Sequence, residues 1–324
     1  MNAILCESFG PPSNLVYKEI ADPIPGPDEI LVKVAACSVN FPDTLIIQGL
    51  YQFKPPLPFS PGSDVAGTVE AVGDNVKGFN PGDEVIGFAS HGGFAEKVCV
   101  HSMACFPKPP GMSMVHAASF LLAYGTSYHA LKDRARLKEG QTLLVLGASG
   151  GVGLAAVELG KKMGARVIAA ASTAEKLDLC KQYGADEVIN YQEEDLKARV
   201  KELTHKKGAD VVYDPVGDKY AEPALRAIAR HGRYLVVGFA AGEIPKIPLN
   251  LTLLKECQIV GVFWGNFARK EPGKSLQNTF QLVQWFQEGT LKPHIHATYP
   301  LKDAPAALEE ILARKAKGKI VIVM

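Results

Sequence analysis

The sequence predicts a two-domain α/β protein in which a doubly wound parallel sheet is joined to a compact β-barrel-like domain. Three observations support this prediction. The 324 residues leave room for two domains. The first third is rich in Gly, Pro and β-forming residues, whereas the middle alternates short apolar strands with helical segments. Strands that alternate with helices predict a parallel sheet covered by helices on both faces.

Short apolar strands separated by turn residues fill the first third. We expect strands over Ile30–Ala35, Val65–Val72, Glu84–Phe88 and Phe94–Val100. Turn signals such as Pro61-Gly62 and Asn80-Pro81-Gly82-Asp83 stand between them. This alternation of short strands and turns predicts the barrel-like domain. We expect the chain to cross to the next domain at Pro107–Met112.

The middle of the chain begins with helical periodicity over Met114–Leu131, interrupted at Gly125. Six strands follow, predicted over Thr142–Leu146, Arg166–Ala170, Glu187–Ile189, Asp210–Tyr213, Arg233–Val237 and Gln258–Phe263. The intervening helices are predicted over Gly151–Met163, Ala174–Tyr183, Glu194–His205 and Tyr220–Arg230. Six strands in two halves are the size of a full dinucleotide-binding fold.

The C-terminal tail is expected to pack back onto the N-terminal domain. It contains predicted helices over Lys274–Gln287 and Lys302–Lys315 and a final strand over Lys319–Val323. The predicted domains are therefore residues 1–122, residues 123–264, and a returning segment of residues 265–324.

Composition and charge argue against several classes of protein. The formal net charge is +1 with interspersed signs, so neither a nucleic-acid-binding nor a membrane-attracting surface is expected. No apolar run reaches the length of a membrane span, and the N-terminus lacks the pattern of a signal peptide. The 6 cysteines form no Cys-x-x-Cys pair, which favours reduced thiols in a cytoplasmic protein over a disulfide framework.

A glycine-rich turn follows the first strand of the alternating region. The strand ending at Leu146 runs into Gly147-Ala148-Ser149-Gly150-Gly151-Val152-Gly153, and a helical stretch follows. A pyrophosphate needs the backbone N–H groups of a helix N-terminus and no side chains where it approaches. Ala148 replaces one glycine of the usual Gly-x-Gly-x-x-Gly pattern. The flanking strand and helix nevertheless predict a dinucleotide-binding turn.

The end of the second strand indicates which dinucleotide binds. A fold specific for NADH usually has Asp or Glu there, bonded to the ribose hydroxyls. Here the strand ends in small and hydroxyl residues, among them Ser172, and Lys176 follows one helical turn later. A carboxylate would repel a 2′-phosphate, whereas a lysine attracts it. We therefore predict NADPH, with Glu175 as the contrary charge nearby.

Short motifs run along essentially the whole chain. The most specific are Pro61 to Gly67, Glu70 to Val76 and Gly147 to Gly153, and Ala36 to Asn40, Ile189 to Tyr191 and Gly318-Lys319 add to them. With these motifs the chain resembles the zinc-independent quinone oxidoreductases, including the zeta-crystallin type, of the medium-chain dehydrogenase/reductase superfamily. The resemblance implies a GroES-like N-terminal domain, a Rossmann domain, and a cofactor in the cleft between them.

The resemblance also implies roles for individual residues. It implies that the cofactor is bound by Ser149, Gly150, Gly151, Val152, Ser172, Lys176, Tyr191, Asp218 and Lys319. Backbone walls around the nicotinamide are expected from Gly238, Phe239 and Ala240 and from Trp264, Gly265 and Asn266. Asn40 and Thr126 match residues that line the cleft near the reacting ring.

Zinc-dependent relatives differ where they hold the metal. They place a Cys at the start of the cleft-lining segment and a His-Glu pair in the later one. Here those positions read Ser38 or Asn40, and Ser63-Asp64, which make a poor zinc site, so no metal is expected. Leu45 replaces a Tyr that is common in the family, and a hydroxyl that would orient a carbonyl is therefore missing.

Without a metal to polarise it, the hydride acceptor must be electrophilic by itself, such as a quinone or a conjugated enone. The Asn40 amide or backbone N–H groups would stabilise the product anion. Tyr51, Phe53 and Tyr124 are candidates to stack on a planar acceptor, and Tyr124 is the candidate proton donor.

Three functions fit the sequence. The first is an NADPH-dependent quinone reductase. The second is an enone or enoyl-thioester reductase; a CoA thioester would favour a basic entrance, for which Lys54, Arg269 and Lys270 are weak candidates. The third is a non-catalytic NADPH-binding protein with a structural or RNA-binding role, against which the near-neutral charge argues. The resemblance also implies a homodimer, with Ile259–Phe263 as the natural pairing strand at the sheet edge.

Overall fold

A computed structural model describes all 324 residues and divides them into two compact units. The first unit comprises Met1–Leu122 and Pro293–Met324, and the second comprises Ala123–Lys292. The chain returns to the first unit at Pro293, whereas the sequence predicts a return from residue 265. The reason is that Asn278 bonds both Lys132 and Asp133 within the second unit, at 2.5 and 2.9 Å.

Strands and helices are numbered in chain order. The strands are β1 (Asn2–Leu5), β2 (Val16–Glu19), β3 (Glu29–Val39), β4 (Asp64–Val72), β5 (Glu84–Phe88), β6 (Lys97–His101), β7 (Cys105–Pro107), β8 (Thr142–Leu146), β9 (Arg166–Ala171), β10 (Glu187–Asn190), β11 (Ala209–Asp214), β12 (Ile228–Val236), β13 (Gln258–Gly261), β14 (Ile295–Pro300) and β15 (Lys319–Val323). The α-helices are α1 (Phe41–Ile46), α2 (Met114–Ala118), α3 (Leu121–Tyr128), α4 (Gly151–Lys162), α5 (Ala174–Gln182), α6 (Leu196–Leu203), α7 (Ala221–Arg226), α8 (Asn250–Lys255), α9 (Trp264–Lys270), α10 (Pro272–Gln287) and α11 (Ala304–Leu312). None of these helices combines the length and the apolarity needed to span a membrane.

The first unit is built on a sheet of order β14-β15-β3-β4-β5-β7, with β6 also paired to β3 and a separate β1-β2 ribbon. All its strand pairs are antiparallel except β14 with β15. The C-terminal strand pairs Ile320 with Val39. This register brings Lys319, near the chain end, beside Asn40, which lies some 280 positions earlier in the chain.

The second unit is a doubly wound parallel sheet of order β10-β9-β8-β11-β12-β13. Its register pairs Val145 with both Ala169 and Tyr213, so the carboxyl ends of the central strands lie at one edge. In open parallel sheets, ligands bind at this edge where the strand order reverses. Here the reversal falls between β8 and β11.

The helical segment after Ser113 differs from its prediction. The break falls between α2 and α3, and Gly125 continues α3, which then passes into a π-helical turn over His129–Arg134. A Cβ atom on Gly125 would lie 2.7 Å from the Trp264 indole. The glycine therefore permits close packing and does not interrupt the helix.

A second difference concerns the predicted helix over Tyr220–Arg230. The helix ends at Arg226, and β12 begins at Ile228, because Ile228 pairs with Ala209 and is completely buried. A register shift in the pairing of β11 with β12 follows, and it allows the polar His231 to lie at a positive φ of 61°.

Candidate functional site

The turn after β8 is almost free of side chains at the start of α4. Gly147 has a φ of 56°, a left-handed conformation that favours glycine. Gly150 is the N-cap of α4, and the buried Ser149 precedes it. A Cβ atom on Gly153 would lie 2.2 Å from the Gly147 carbonyl oxygen, so only glycine fits there. The unpaired N–H groups of Gly151 and Val152 therefore begin a cradle suited to an anion.

A buried hydroxyl holds this turn against the sheet. Ser127 on α3 donates to the Val152 carbonyl at 2.8 Å and lies 2.9 Å from the Tyr213 hydroxyl of β11. The sequence does not single out Ser127, since its partners are distant in the chain. Its neighbour Thr126, an expected cleft residue, is partly buried on the same helix.

The end of β9 carries the pair of residues expected at a 2′-phosphate. Lys176 Nζ donates to Ser172 Oγ at 3.3 Å, and Thr173 caps α5 by accepting from the Lys176 backbone N–H. Tyr191 follows β10 directly, and its N–H donates to the Ala171 carbonyl at 3.1 Å. The structure therefore brings Ser172, Lys176 and Tyr191 to one edge. The Tyr191 ring also packs on Tyr220, 4.3 Å between centroids.

A buried carboxylate shapes the turn after β11. Asp214 Oδ1 accepts from the backbone N–H groups of Val216 and Gly217 at 2.7 and 2.8 Å, and Oδ2 accepts from the Tyr234 hydroxyl. Burial raises the pKa of Asp214 against these stabilising bonds. The result is a fixed turn that presents Asp218, at a φ of 52°, beside Glu243.

The segment after β12 packs against this turn through backbone hydrogen bonds. Ala240 and Ala241 donate to the carbonyls of Pro215 and Val216 at 3.0 and 2.9 Å. The segment includes Gly238 and Phe239, whose ring fills the space beside Gly217. These residues lie together at the carboxyl edge of the sheet, as expected for nicotinamide walls.

The segment Trp264, Gly265 and Asn266 forms the first turn of α9. The Trp264 side chain is buried against Gly125 in the interior of the second unit. Asn266 is exposed and accepts from Arg269 at 3.2 Å. The backbone role expected of all three residues stays a prediction.

Tyr124 is placed differently from its expected role. It is only 3% exposed, and its hydroxyl donates to Glu158, which also accepts from the Lys292 N–H at 2.9 Å. Burial, and then the Glu158 charge, raise the pKa of Tyr124 well above its usual value. A phenol so tightly held is a poor proton donor, and its ring is not open to a planar acceptor. Tyr124 therefore fits neither of its expected roles, stacking on the acceptor and donating a proton.

In the first unit, Asn40 lies in a buried polar cluster, defined here as Ser38, Asn40, Asp43, Asp64 and Lys319. Lys319 Nζ donates to Asn40 Oδ1 and, at 3.4 Å, to the Val39 carbonyl. Asn40 Nδ2 donates to Ser38 Oγ at 3.0 Å, and Ser38 donates to Asp64 at 3.3 Å. Lys319 therefore fixes the Asn40 amide from within this unit, which differs from its expected role as a cofactor contact.

One lysine faces two carboxyl groups in the polar cluster. Asp43 caps α1 by accepting from the Asn40 N–H at 2.7 Å, whereas Asp64 Oδ1 is buried without a hydrogen-bond partner. Burial raises the pKa of Asp43 and of Asp64 to about 7, despite the charge of Lys319. Burial lowers the pKa of Lys319. The sequence analysis singled out neither the capping pair Asn40 and Asp43 nor its link to Asp64 and Lys319.

The two expected aromatic substrate residues lie on the loop after α1. Tyr51 is partly buried near Asp43, and burial followed by that charge raises the pKa of Tyr51. Phe53 is 46% exposed and lies 5.9 Å from the His91 ring, which also packs on Phe59 at 6.0 Å. The sequence analysis did not single out His91 as a neighbour of these rings. No group of three or more His, Cys, Asp or Glu side chains is arranged to hold a metal ion.

Both halves of the chain match known domain families. The alcohol dehydrogenase GroES-like domain matches residues 26–110, and the zinc-binding dehydrogenase family matches residues 151–285. The chain is 39% identical over 323 residues to the quinone oxidoreductase-like protein 2 homolog of Nematostella vectensis, covering 99% of this chain and 88% of the relative. It is 36% identical to the quinone oxidoreductase of Homo sapiens, covering 100% and 98%.

A solved structure is similar over the full length as well. Escherichia coli quinone oxidoreductase, complexed with NADPH, superposes with a TM-score of 0.95 at 30% identity, covering 100% of both chains. The doubly wound sheet and the GroES-like domain of this chain are thus those of the matched proteins.

Proposed function

The chain belongs to the quinone oxidoreductase family of medium-chain oxidoreductases, and from this premise we propose that it reduces quinones or similarly activated conjugated carbonyls with NADPH, without zinc. The observation that carries the proposal is the bare turn at Gly147 to Gly153. A Cβ atom at Gly153 would fill the backbone space that this turn needs to hold its shape, and the residues therefore fit a dinucleotide pyrophosphate.

The choice of NADPH rests on the end of β9. Ser172 and Lys176 are bonded to one another at 3.3 Å where a carboxylate would select NADH. A 2′-phosphate placed there gains a lysine ammonium and a hydroxyl as partners. The relative from Escherichia coli is itself complexed with NADPH.

When bound, the cofactor supplies a hydride from C4 of the nicotinamide. The residues of this chain bind, orient and enclose the cofactor. The turn after β8 binds the pyrophosphate, Asp214 fixes the adjoining turn, and Gly238 to Ala240 wall the ring. In the first unit the Asn40 amide is held in one orientation by Lys319 and Ser38. Because both of its polar atoms are engaged, backbone N–H groups stabilise the developing oxyanion.

The proposal that zinc is not required rests on the donor set. Ser63 is a neutral hydroxyl, and Asp64 is completely buried with Oδ2 bonded to Ser38 and to the Leu122 N–H at 3.3 Å each. Neither offers the thiolate or imidazole that holds zinc. An acceptor must then be electron-poor by itself, as quinones are.

An acceptor screen tests this function. Purified protein is mixed with NADPH and an ortho-quinone, a para-quinone, a simple enone or crotonyl-CoA, and cofactor absorbance is followed. We expect turnover with quinones. Turnover with crotonyl-CoA alone would replace the proposal by an enoyl-thioester reductase. Tight NADPH binding without oxidation by any acceptor would favour a non-catalytic role.

We also propose a homodimer formed through the edge strand β13. This strand pairs only with β12, and Ile259 on it is exposed. The neighbouring α8 segment exposes Leu249, Leu253 and Leu254 by 67–76%. An open strand edge beside exposed leucines favours pairing with a second copy. Light scattering that gives the monomer mass at micromolar concentration would contradict it.

A further inference from the structure

A pocket of about 510 Å³ lies in the second unit, away from the turn that fits the pyrophosphate. It is lined by Asp133, Arg134, Ala135, Arg136, Lys138, Gln141, Arg233, Gln258 and Val260. Gln141 precedes β8 and Gln258 begins β13, so the pocket lies at the amino edge of the sheet. The glycine turn follows the carboxyl end of β8. A strand of 5 residues separates the two ends by roughly 15 Å.

Four cations line this pocket, and none of them forms an ion pair. Arg134 Nε donates to the Gly261 carbonyl at 3.0 Å. Arg233 Nε donates to the Ala135 carbonyl at 3.0 Å, and Nη2 donates to Gln141 at 2.7 Å. Arg136 and Lys138 are exposed at the rim. Backbone and amide oxygens thus hold two of the guanidinium groups in place and leave their charges unmatched.

Four of the five other arginines in the second unit form ion pairs. Arg166 lies 2.5 Å from Glu187, Arg199 lies 2.7 Å from Glu202, Arg226 lies 2.6 Å from Glu222, and Arg230 lies 2.6 Å from Glu256. Each of these four has a carboxylate partner, whereas the three pocket arginines have none; the exposed Arg269 is also without one and donates to Asn266. On a chain with a net charge of +1, this local excess is a property of the pocket.

The carboxylates near the pocket already have other partners. Asp133 Oδ2 is bonded to His129 and to Asn278, each at 2.9 Å. Asp210 accepts from the Thr142 N–H at 2.8 Å. Arg233 is partly buried, and that burial lowers the pKa of its guanidinium, while the Asp210 charge opposes the change. A partly buried cation without an ion pair favours an anion from outside the chain.

We propose that this pocket is a second anion site, which binds a small phosphate-bearing ligand through Arg134, Arg136, Lys138 and Arg233. Guanidinium groups match the oxygens of a phosphoryl group two at a time, and they are the preferred protein partners of that group. The volume is that of a small-molecule site and exceeds what one inorganic phosphate fills. The pocket therefore has room for further atoms beside a phosphate.

Titration calorimetry with inorganic pyrophosphate at constant ionic strength tests this site. The full-length protein is titrated in the presence of saturating NADPH, so that the cofactor turn is occupied. We expect pyrophosphate to bind with NADPH present, and Arg136→Gln/Lys138→Gln to weaken it at least tenfold while NADPH affinity stays within twofold. Arg233 is left intact because it also holds the Ala135 carbonyl.

The matched control is Lys197→Gln/Lys302→Gln, which removes two exposed charges elsewhere. It should bind pyrophosphate as the parent protein does. Equal weakening in this control would show a general charge effect and overturn the proposal. No pyrophosphate binding, or binding abolished by NADPH, would overturn it as well. None of these outcomes bears on the quinone reductase proposal, which the acceptor screen tests separately.

Discussion

The turn after β8 and the polar cluster around Asn40 are both built for polar chemistry, yet in opposite ways. The turn is formed by removing side chains: Gly147, Gly150 and Gly153 leave backbone N–H groups facing outward. The polar cluster is formed by adding them: Lys319, Asp43 and Asp64 are all buried, and the lysine charge acts on both carboxyl groups. The N–H groups of the turn therefore need an external anion as partner, whereas the polar cluster contains both its cation and its carboxyl groups. Substitutions in the turn should therefore weaken cofactor binding, whereas substitutions in the polar cluster should change the stability of the fold.

The largest expected effect comes from removing the buried cation. Lys319→Met leaves two buried carboxyl groups without their cation and Asn40 Oδ1 without its donor. We expect a loss of about 3–5 kcal/mol in the free energy of unfolding, measured by urea denaturation followed by circular dichroism. Lys302→Met, at an exposed site of the same unit, should change it by less than about 0.5 kcal/mol. Equal stability of the two variants would show that Lys319 is not essential to the polar cluster.

The next effect concerns binding at the turn. Gly153→Ala places a methyl group 2.2 Å from the Gly147 carbonyl and forces the turn open. We expect NADPH affinity to fall about a hundredfold, or about 2.8 kcal/mol, in a fluorescence titration. Gly273→Ala is the matched control, because its Cβ meets nothing within 4 Å in the first turn of α10. Unchanged NADPH affinity in Gly153→Ala would place the cofactor elsewhere.

A smaller effect concerns the pH dependence of stability, to which the polar cluster contributes through Asp64. The pKa of Asp64 is about 7 in the folded protein and near its usual 3.8 when unfolded. The folded state binds more protons between these values, so this group's contribution to stability falls as pH rises from about 4 to about 7. Asp64→Asn should therefore gain on the order of 2 kcal/mol relative to the parent across that range. A constant difference between the two proteins from pH 4 to pH 7.5 would contradict the raised pKa.

The smallest effect tests the phosphate pair at the end of β9. Lys176→Gln should weaken NADPH binding about tenfold, or about 1.4 kcal/mol, and leave NADH binding unchanged, because only NADPH carries the 2′-phosphate. Glu175→Gln, at the adjacent exposed position, serves as the charge-changing control and should not weaken NADPH. If both dinucleotides weaken equally in Lys176→Gln, that lysine does not sense the phosphate.

The contrast also explains what the sequence could predict. The turn is encoded by consecutive residues between an apolar strand and a helix, so Gly147 to Gly153 and the six parallel strands were predictable from local pattern. The polar cluster unites positions 38, 43, 64 and 319, which are brought together by the pairing of β3 with both β4 and β15. The resemblance implied that Lys319 contacts the cofactor, and its contact with Asn40 was not foreseen.

Local pattern also failed where packing decided conformation. Gly125 reads as a helix break, but tertiary contact with Trp264 makes it a helical residue. Tyr124 has the chemistry of a proton donor, but only the fold shows its hydroxyl bonded to Glu158. The unmatched arginines around Arg136 are ordinary surface residues in sequence, since the missing partner of a charge is visible only in three dimensions.

The packing of Trp264 against Gly125 has a practical consequence for spectroscopy. The chain contains 2 tryptophans, and both Trp264 and Trp285 belong to the second unit. Trp264 is buried, and Trp285 lies edge-on to Tyr128 at 5.3 Å. Indole emission therefore reports the melting of one half of the molecule only, while the other half, which carries the tyrosines 17, 51 and 299, melts unseen at that wavelength.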